Sequence, residues 1–175
     1  MRNILLTVLA SLLVTACNLL TPVPTAVPSP SPDQGIALAA LLTHVPDEMR
    51  VNCGPVRMGE SGEVVSAQCY PVGASYVSYA QFDTLEHLRA AYTGDVNFFG
   101  AGASGTNCQA GPSESIYSID GASAGRLLCN AETTQDAQGK ITIWTHEGLL
   151  ILSTIMFYGS FSGMYDIWLA AGPNS

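Results

Sequence analysis

Positive charge is what this sequence has least of. Six lysines and arginines stand against fourteen aspartates and glutamates in 175 residues, a formal net charge of −8 at pH 7. Setting Arg2 aside leaves five against fourteen, a balance of −9. That disfavours nucleic acid as a partner, and equally an anionic lipid face used as a docking surface. Charged residues of either sign make up only 11% of the chain, and they are scattered, so the acids read as solubility. Metal spacing is lacking too. His44, His87 and His146 lie on separate segments with neither H-x-x-x-H nor H-E-x-x-H, and no C-x-x-C pair occurs among the cysteines. No apolar run reaches the roughly 20 residues of a membrane span. A resident metal or cofactor is therefore not expected.

What is present is concentrated at the start. Arg2 precedes an apolar core from Ile4 to Val14, and Leu13-Val14-Thr15-Ala16-Cys17 closes it with small residues before a cysteine. Charge, apolar core and small residues are the parts of a secretory leader, and the cysteine resembles the lipobox of bacterial lipoproteins. The expectation is a leader over residues 1–16. Cys17 is then acylated (diacylglycerol and a palmitate-type chain) and held stably at the membrane, since more than one acyl chain is needed for firm anchoring. Asn18, not Asp, follows, so no inner-membrane retention signal is visible. The Pro/Ser/Thr-rich stretch from Thr21 to Pro32 reads as an extended tether, the linker region running over residues 17–33, with a reach of roughly 35–40 Å at polyproline II spacing. The expected location is the extracytoplasmic face of the cell membrane.

Residues 34–175 are the size of one domain. They hold four cysteines, Cys53, Cys69, Cys108 and Cys129, and an even count in an exported domain argues for two disulfides. Three pairings are possible and spacing does not choose among them; Cys53–Cys69 with Cys108–Cys129 is favoured because each pair stays within one half. Leu38, Leu41, Leu42 and Val45 mark a helix ended by Pro46. Runs 64–70 and 76–82 form a hairpin, and Asp83 caps a helix carrying Leu85, Leu88 and Tyr92 on one face. Residues 94–111 read as a long loop. Runs 126–132, 141–146 and 149–157 are strands, the last apolar on both faces and so central, and Ser160 or Ser162 opens a final helix. Cysteine, strand, strand, helix thus occurs twice. The expected fold is α+β: an antiparallel sheet of about five strands, helices on one face, two pseudo-repeated halves and two disulfides.

Two motifs with chemistry attached fail on context. Gly100 to Gly105 fits G-x-G-x-x-G but lacks the strand before and helix after that a dinucleotide turn requires. Gly121-Ala122-Ser123-Ala124-Gly125 fits the nucleophile elbow G-x-S-x-G, with Asp136 and His146 following in order, yet the residues after it read as strand rather than helix. A small surface serine hydrolase using Ser123 with His146 is therefore the alternative reading, and a structural envelope lipoprotein a third.

Several phrases carry a resemblance: Leu41-Leu42-Thr43-His44-Val45-Pro46, Cys53, Val77-Ser78-Tyr79, Gly125-Arg126-Leu127-Leu128-Cys129, Ile143-Trp144-Thr145 and Tyr165-Asp166-Ile167-Trp168. In these the domain resembles the extracytoplasmic, sensor-like module of actinobacterial-type receptor serine/threonine kinases. The resemblance implies an α+β sensor-like domain with two disulfides, here without a kinase. The leading expectation is a non-enzymatic, lipid-anchored binding or sensor-like module, in contact with the membrane through its lipid and taking a small-molecule or protein ligand.

Overall fold

The computed structural model describes residues 32–100, 107–131 and 139–172. The expectations for the leader, Cys17 and residues 17–31 of the tether lie outside them, as do Asp136 and residues 101–105 of the glycine-rich motif. Ten elements follow in order. They are α1 (Pro32–Thr43), β1 (Gly54–Val56), β2 (Glu63–Cys69), β3 (Tyr76–Phe82), α2 (Leu85–Phe99), β4 (Ser113–Ile119), β5 (Ala122–Ala131), β6 (Gly139–His146), β7 (Ile151–Tyr158) and α3 (Phe161–Ala171). Pro32 and Asp33, expected at the end of the tether, instead form the first turn of α1, where a proline loses no hydrogen bond and an acid suits the helix dipole.

The fold is α+β, with seven antiparallel strands in the order β1-β2-β3-β7-β6-β5-β4 and two disulfides, Cys53–Cys69 and Cys108–Cys129. The sheet is thus two meanders joined where β3 pairs with β7, and β7 is its middle strand. Five strands were legible from apolar runs; β1 and β4 were not. β1 has only three residues, one of them Pro55, and β4 opens with three polar residues, Ser-Glu-Ser, and carries no apolar run longer than Ile116-Tyr117. The turn from β4 to β5 is Asp120-Gly121 with both φ angles positive (50° and 81°), the geometry of a two-residue hairpin that matches strand twist.

Helices cover both faces rather than one. Val77, Tyr79, Leu127, Trp144, Ile151 and Ile155 point into a core closed by Leu41 and Val45 near α1 and by Met164, Trp168 and Ala171 of α3. Ala80, Phe82, Leu128, Ile141, Ile143, Leu152 and Met156 point the other way, into a core closed by Leu88, Ala91 and Tyr92 of α2. Strands β3, β5, β6 and β7 are apolar on both faces, and each buried Leu, Ile or Phe is worth about 1.5–3 kcal/mol, so a single helix layer would leave one face unsatisfied. The two halves share the order strand, strand, helix, but α2 and α3 land on opposite faces.

α2 also corrects two local expectations. Its N-cap is Thr84, whose hydroxyl accepts from the His87 N–H at 3.2 Å, while Asp83 bonds the His87 ring instead. The helix also runs on through Gly94 to Phe99. Gly94 costs the helix about 1 kcal/mol, which is offset by packing of Val96 and Phe99 on the second core. Asn130 of β5 then donates to the terminal carbonyls of Phe99 (2.7 Å) and Gly100 (3.0 Å). Length explains the crossing. Fifteen helical residues span about 22 Å, against about 19 Å for the four strand intervals from β3 to β4.

Gly125 lies where β5 presses against β6, and a Cβ there would run into the Thr145 carbonyl. Gly125→Ala is expected to lower unfolding free energy by about 3 kcal/mol. Ser123→Ala, two residues away and exposed, is expected to stay within about 0.5 kcal/mol. Urea denaturation of both variants checks the contrast.

Candidate functional site

Among the described residues a concavity follows from the shortness of β1. Its ladder with β2 ends at Val56↔Ser66, so the next residues of β2 have no partner on that side and the chain bends away through residues 57–62. The opening is a cleft of about 750 Å³. Gln34 and Leu38 of α1 form one wall, Pro55, Val56, Val64 and Val65 the apolar part, and Arg57, Glu60, Glu63 and Ser66 the polar part.

The rim loop is held at both ends. The Glu63 carboxylate accepts the backbone N–H groups of Met58 (3.1 Å), Gly59 (2.7 Å) and Glu60 (3.3 Å). Beneath it, the Ser66 hydroxyl touches both the Val56 carbonyl (2.5 Å) and the Glu63 carboxylate, one proton facing two acceptors. At the far end Gly62 has φ +77°, and its missing side chain is what lets His87 and Asp83 pack against it. Asp83 N–H donates to the Gly62 carbonyl at 3.0 Å, and Asp83 Oδ1 meets His87 Nδ1 at 2.6 Å. The hydrogen bond from His87 holds the Asp83 carboxyl below its ordinary range.

Asp95 on α2 goes the opposite way. Burial first, and the Glu60 charge second, push its carboxyl up from 3.8 to about 6. Neither Glu63 nor Asp95 was singled out from sequence. The available signal was Gly59-Glu-Ser-Gly-Glu63, two glycines (φ +81° and +77°) followed at once by the acid that folds back on its own loop.

A second, polar dimple of about 170 Å³ lies between α2 and β5, lined by Arg89, Tyr92, Thr93, Arg126 and Thr145. Arg89 is held by Glu147 through two hydrogen bonds (3.1 and 2.6 Å). Arg126 pairs with Glu114 at 3.5 Å, and the Tyr92 hydroxyl meets the same carboxylate at 3.3 Å. Ligand pockets generally run about 300–1,000 Å³, so the dimple is undersized and its cations are already matched. The cleft is the stronger site.

The residues picked out from sequence are dispersed. Ser123 sits in the β4–β5 hairpin, followed by strand, so the elbow geometry is absent there. His146 ends β6, and its Nδ1 is buried without a hydrogen-bond partner. No hydrogen bond joins Ser123 to His146 among the described residues. Gly100 follows helix α2, not a strand. His44 lies past the end of α1 and His87 on the first turn of α2, and the described residues contain no group of three or more His, Cys, Asp or Glu placed to hold a metal ion. No described helix is long and apolar enough to cross a membrane. The buried phenols serve packing: Tyr79 donates to the Ala171 carbonyl (3.2 Å) and Tyr117 to that of Thr145 (2.8 Å), with burial raising both above the ordinary tyrosine value.

No family model, curated protein or solved structure matches this chain.

Because Asp95 binds its proton more tightly folded than unfolded, its contribution favours the folded state at low pH. That contribution is lost as pH rises from about 4 to about 6. Asp95→Asn is expected to raise the thermal midpoint by a few degrees at pH 7, an effect moderated by the solvent-open side of the group, with the gain vanishing toward pH 4. Thermal melts of both proteins across that range check it.

Proposed function

We propose that this chain is a lipid-anchored, extracytoplasmic binding or sensor-like module, non-enzymatic, whose ligand seats in the cleft between α1 and β2. The observation that carries the reading is the cleft itself. At about 750 Å³ it falls within the range of small-molecule sites, and its polar rim is organised beforehand by the Glu63 carboxylate. Preorganisation of that kind lowers the ordering cost of binding. Leu38, Pro55, Val56 and Val64 beside Arg57 and Glu60 suit an amphipathic small molecule. Support for the anchor comes from the leader-like start, Cys17 and the Pro-rich stretch. The phrases that resemble those of receptor-kinase outer modules support the sensor-like part by analogy. Since α1 follows the tether directly, the cleft would lie at the membrane-proximal end of the domain.

Native mass spectrometry of the chain exported in an oxidising host tests the reading. The expected spectrum shows a co-purified small-molecule adduct that disappears in Val64→Trp, a substitution at a half-exposed position that fills the cleft. A wild-type spectrum with only the bare protein, unchanged when amphipathic small molecules are added, overturns small-molecule binding and leaves a protein partner or a structural role.

A further inference from the structure

The two edges of the sheet are built differently. At one edge β1 is three residues long, contains Pro55 and runs into Arg57, all devices that discourage pairing with another strand. At the other edge β4 is seven residues long, Ser-Glu-Ser-Ile-Tyr-Ser-Ile, with neither proline nor lysine. Its one charge, Glu114, is engaged by Tyr92 and Arg126 of its own chain. Ile116 stands 68% exposed at its centre.

The direction of the backbone groups on β4 follows from its neighbour. Arg126 N–H donates to the Thr145 side-chain hydroxyl on β6, and Ala124 C=O accepts from Glu147 N–H, so the even-numbered residues of β5 turn their backbone groups toward β6. Ile116 is opposite Arg126 and Glu114 opposite Leu128. Their own N–H and C=O groups therefore face away from β5, and by alternation so do those of Ser118.

We propose that β4 is a self-association edge, and that its partner is β4 of a second copy of this chain, paired antiparallel about a two-fold axis at Ile116. In that register Ile116 faces Ile116 and Glu114 faces Ser118, so all three outward residues form hydrogen-bonded pairs. No carboxylate opposes a carboxylate, an arrangement that would weaken the pair. A slip toward the N-terminus brings in Pro112, which has no N–H; a slip the other way brings in Asp120, already in the turn at φ 50°. The symmetric register is thus the one that uses the whole strand. A single strand pair buries less than the roughly 1,200 Å² typical of stable complexes, so the dimer is weak and concentration-dependent.

Single cysteines in the full chain, exported into an oxidising compartment, read the register. Paired Ile116 positions lie about 5.5 Å apart between Cα atoms, within disulfide reach. The two copies of residue 118 lie four residues apart along the strands, about 13 Å, out of reach. Ile116→Cys is expected to give a disulfide-linked dimer on a non-reducing gel, at least tenfold more than Ser118→Cys. The double variant Glu114→Cys/Ser118→Cys should restore cross-linking. Independently, the sedimenting mass of wild type should rise with concentration, while that of Ile116→Lys, a change at an exposed position, stays monomeric. Equal yields from the 116 and 118 variants, no dimer from Ile116→Cys, or a wild type that remains monomeric up to about millimolar concentration (the weak end of measurable affinity) would each overturn the proposal. None of these outcomes bears on ligand binding in the cleft.

Discussion

The pairing of β3 with β7 holds this molecule together. Among the described residues it is the only ladder that joins the first meander to the second, and it runs six residue pairs from Tyr76↔Met156 to Gln81↔Ile151. Both strands are buried on both faces. Val77, Tyr79, Ile151 and Ile155 feed one core, and Ala80, Phe82, Leu152 and Met156 the other. Because the two strands contribute to both cores at once, neither helix layer is independent of the other. Even the polar residues at this junction, Ser78 opposite Thr154, are buried. The α2 crossing that carries the chain from β3 to the far edge closes the second core, and α3 and α1 close the first.

The disulfides act at the margins of this arrangement. Cys69 ends β2 and Cys129 lies in β5, both buried in the α1–α3 core, and each ties a segment entering the sheet to a strand already in it. Cys53 secures the approach to β1, and Cys108 the approach to β4. The two edge strands, which have a neighbour on one side only, are thus the elements whose entry is covalently fixed.

The cleft is a consequence of the same economy at the edge. A full-length β1 would have covered β2 as far as Glu63; a three-residue β1 leaves room for a loop, and the loop needs an internal anchor. Glu63 supplies it by taking three backbone N–H groups, so the carboxylate substitutes for a missing stretch of ladder. Asp95 stands near that loop with its pKa raised, first by its own burial and second by the charge of Glu60 on the loop.

Much of the interior was legible from the chain alone. The apolar runs at 64–70, 76–82, 126–132, 141–146 and 149–157 are strands β2, β3, β5, β6 and β7, the two-faced run at 149–157 is the middle strand, Ser160 is the cap of α3, and the disulfides pair within halves. Asp120-Gly121 was an unread signal for the β4–β5 hairpin. Periodicity reports which side chains of a segment face an apolar partner; it does not report which partner, or from which side it comes. The placement of helices on both faces, the continuation of α2 past Gly94, the strand identity of β1 and β4, and the Glu63-anchored cleft all depend on contacts between residues far apart in the chain. Tertiary structure alone decided those, because only packing brings the two meanders close enough for β3 and β7 to share their cores.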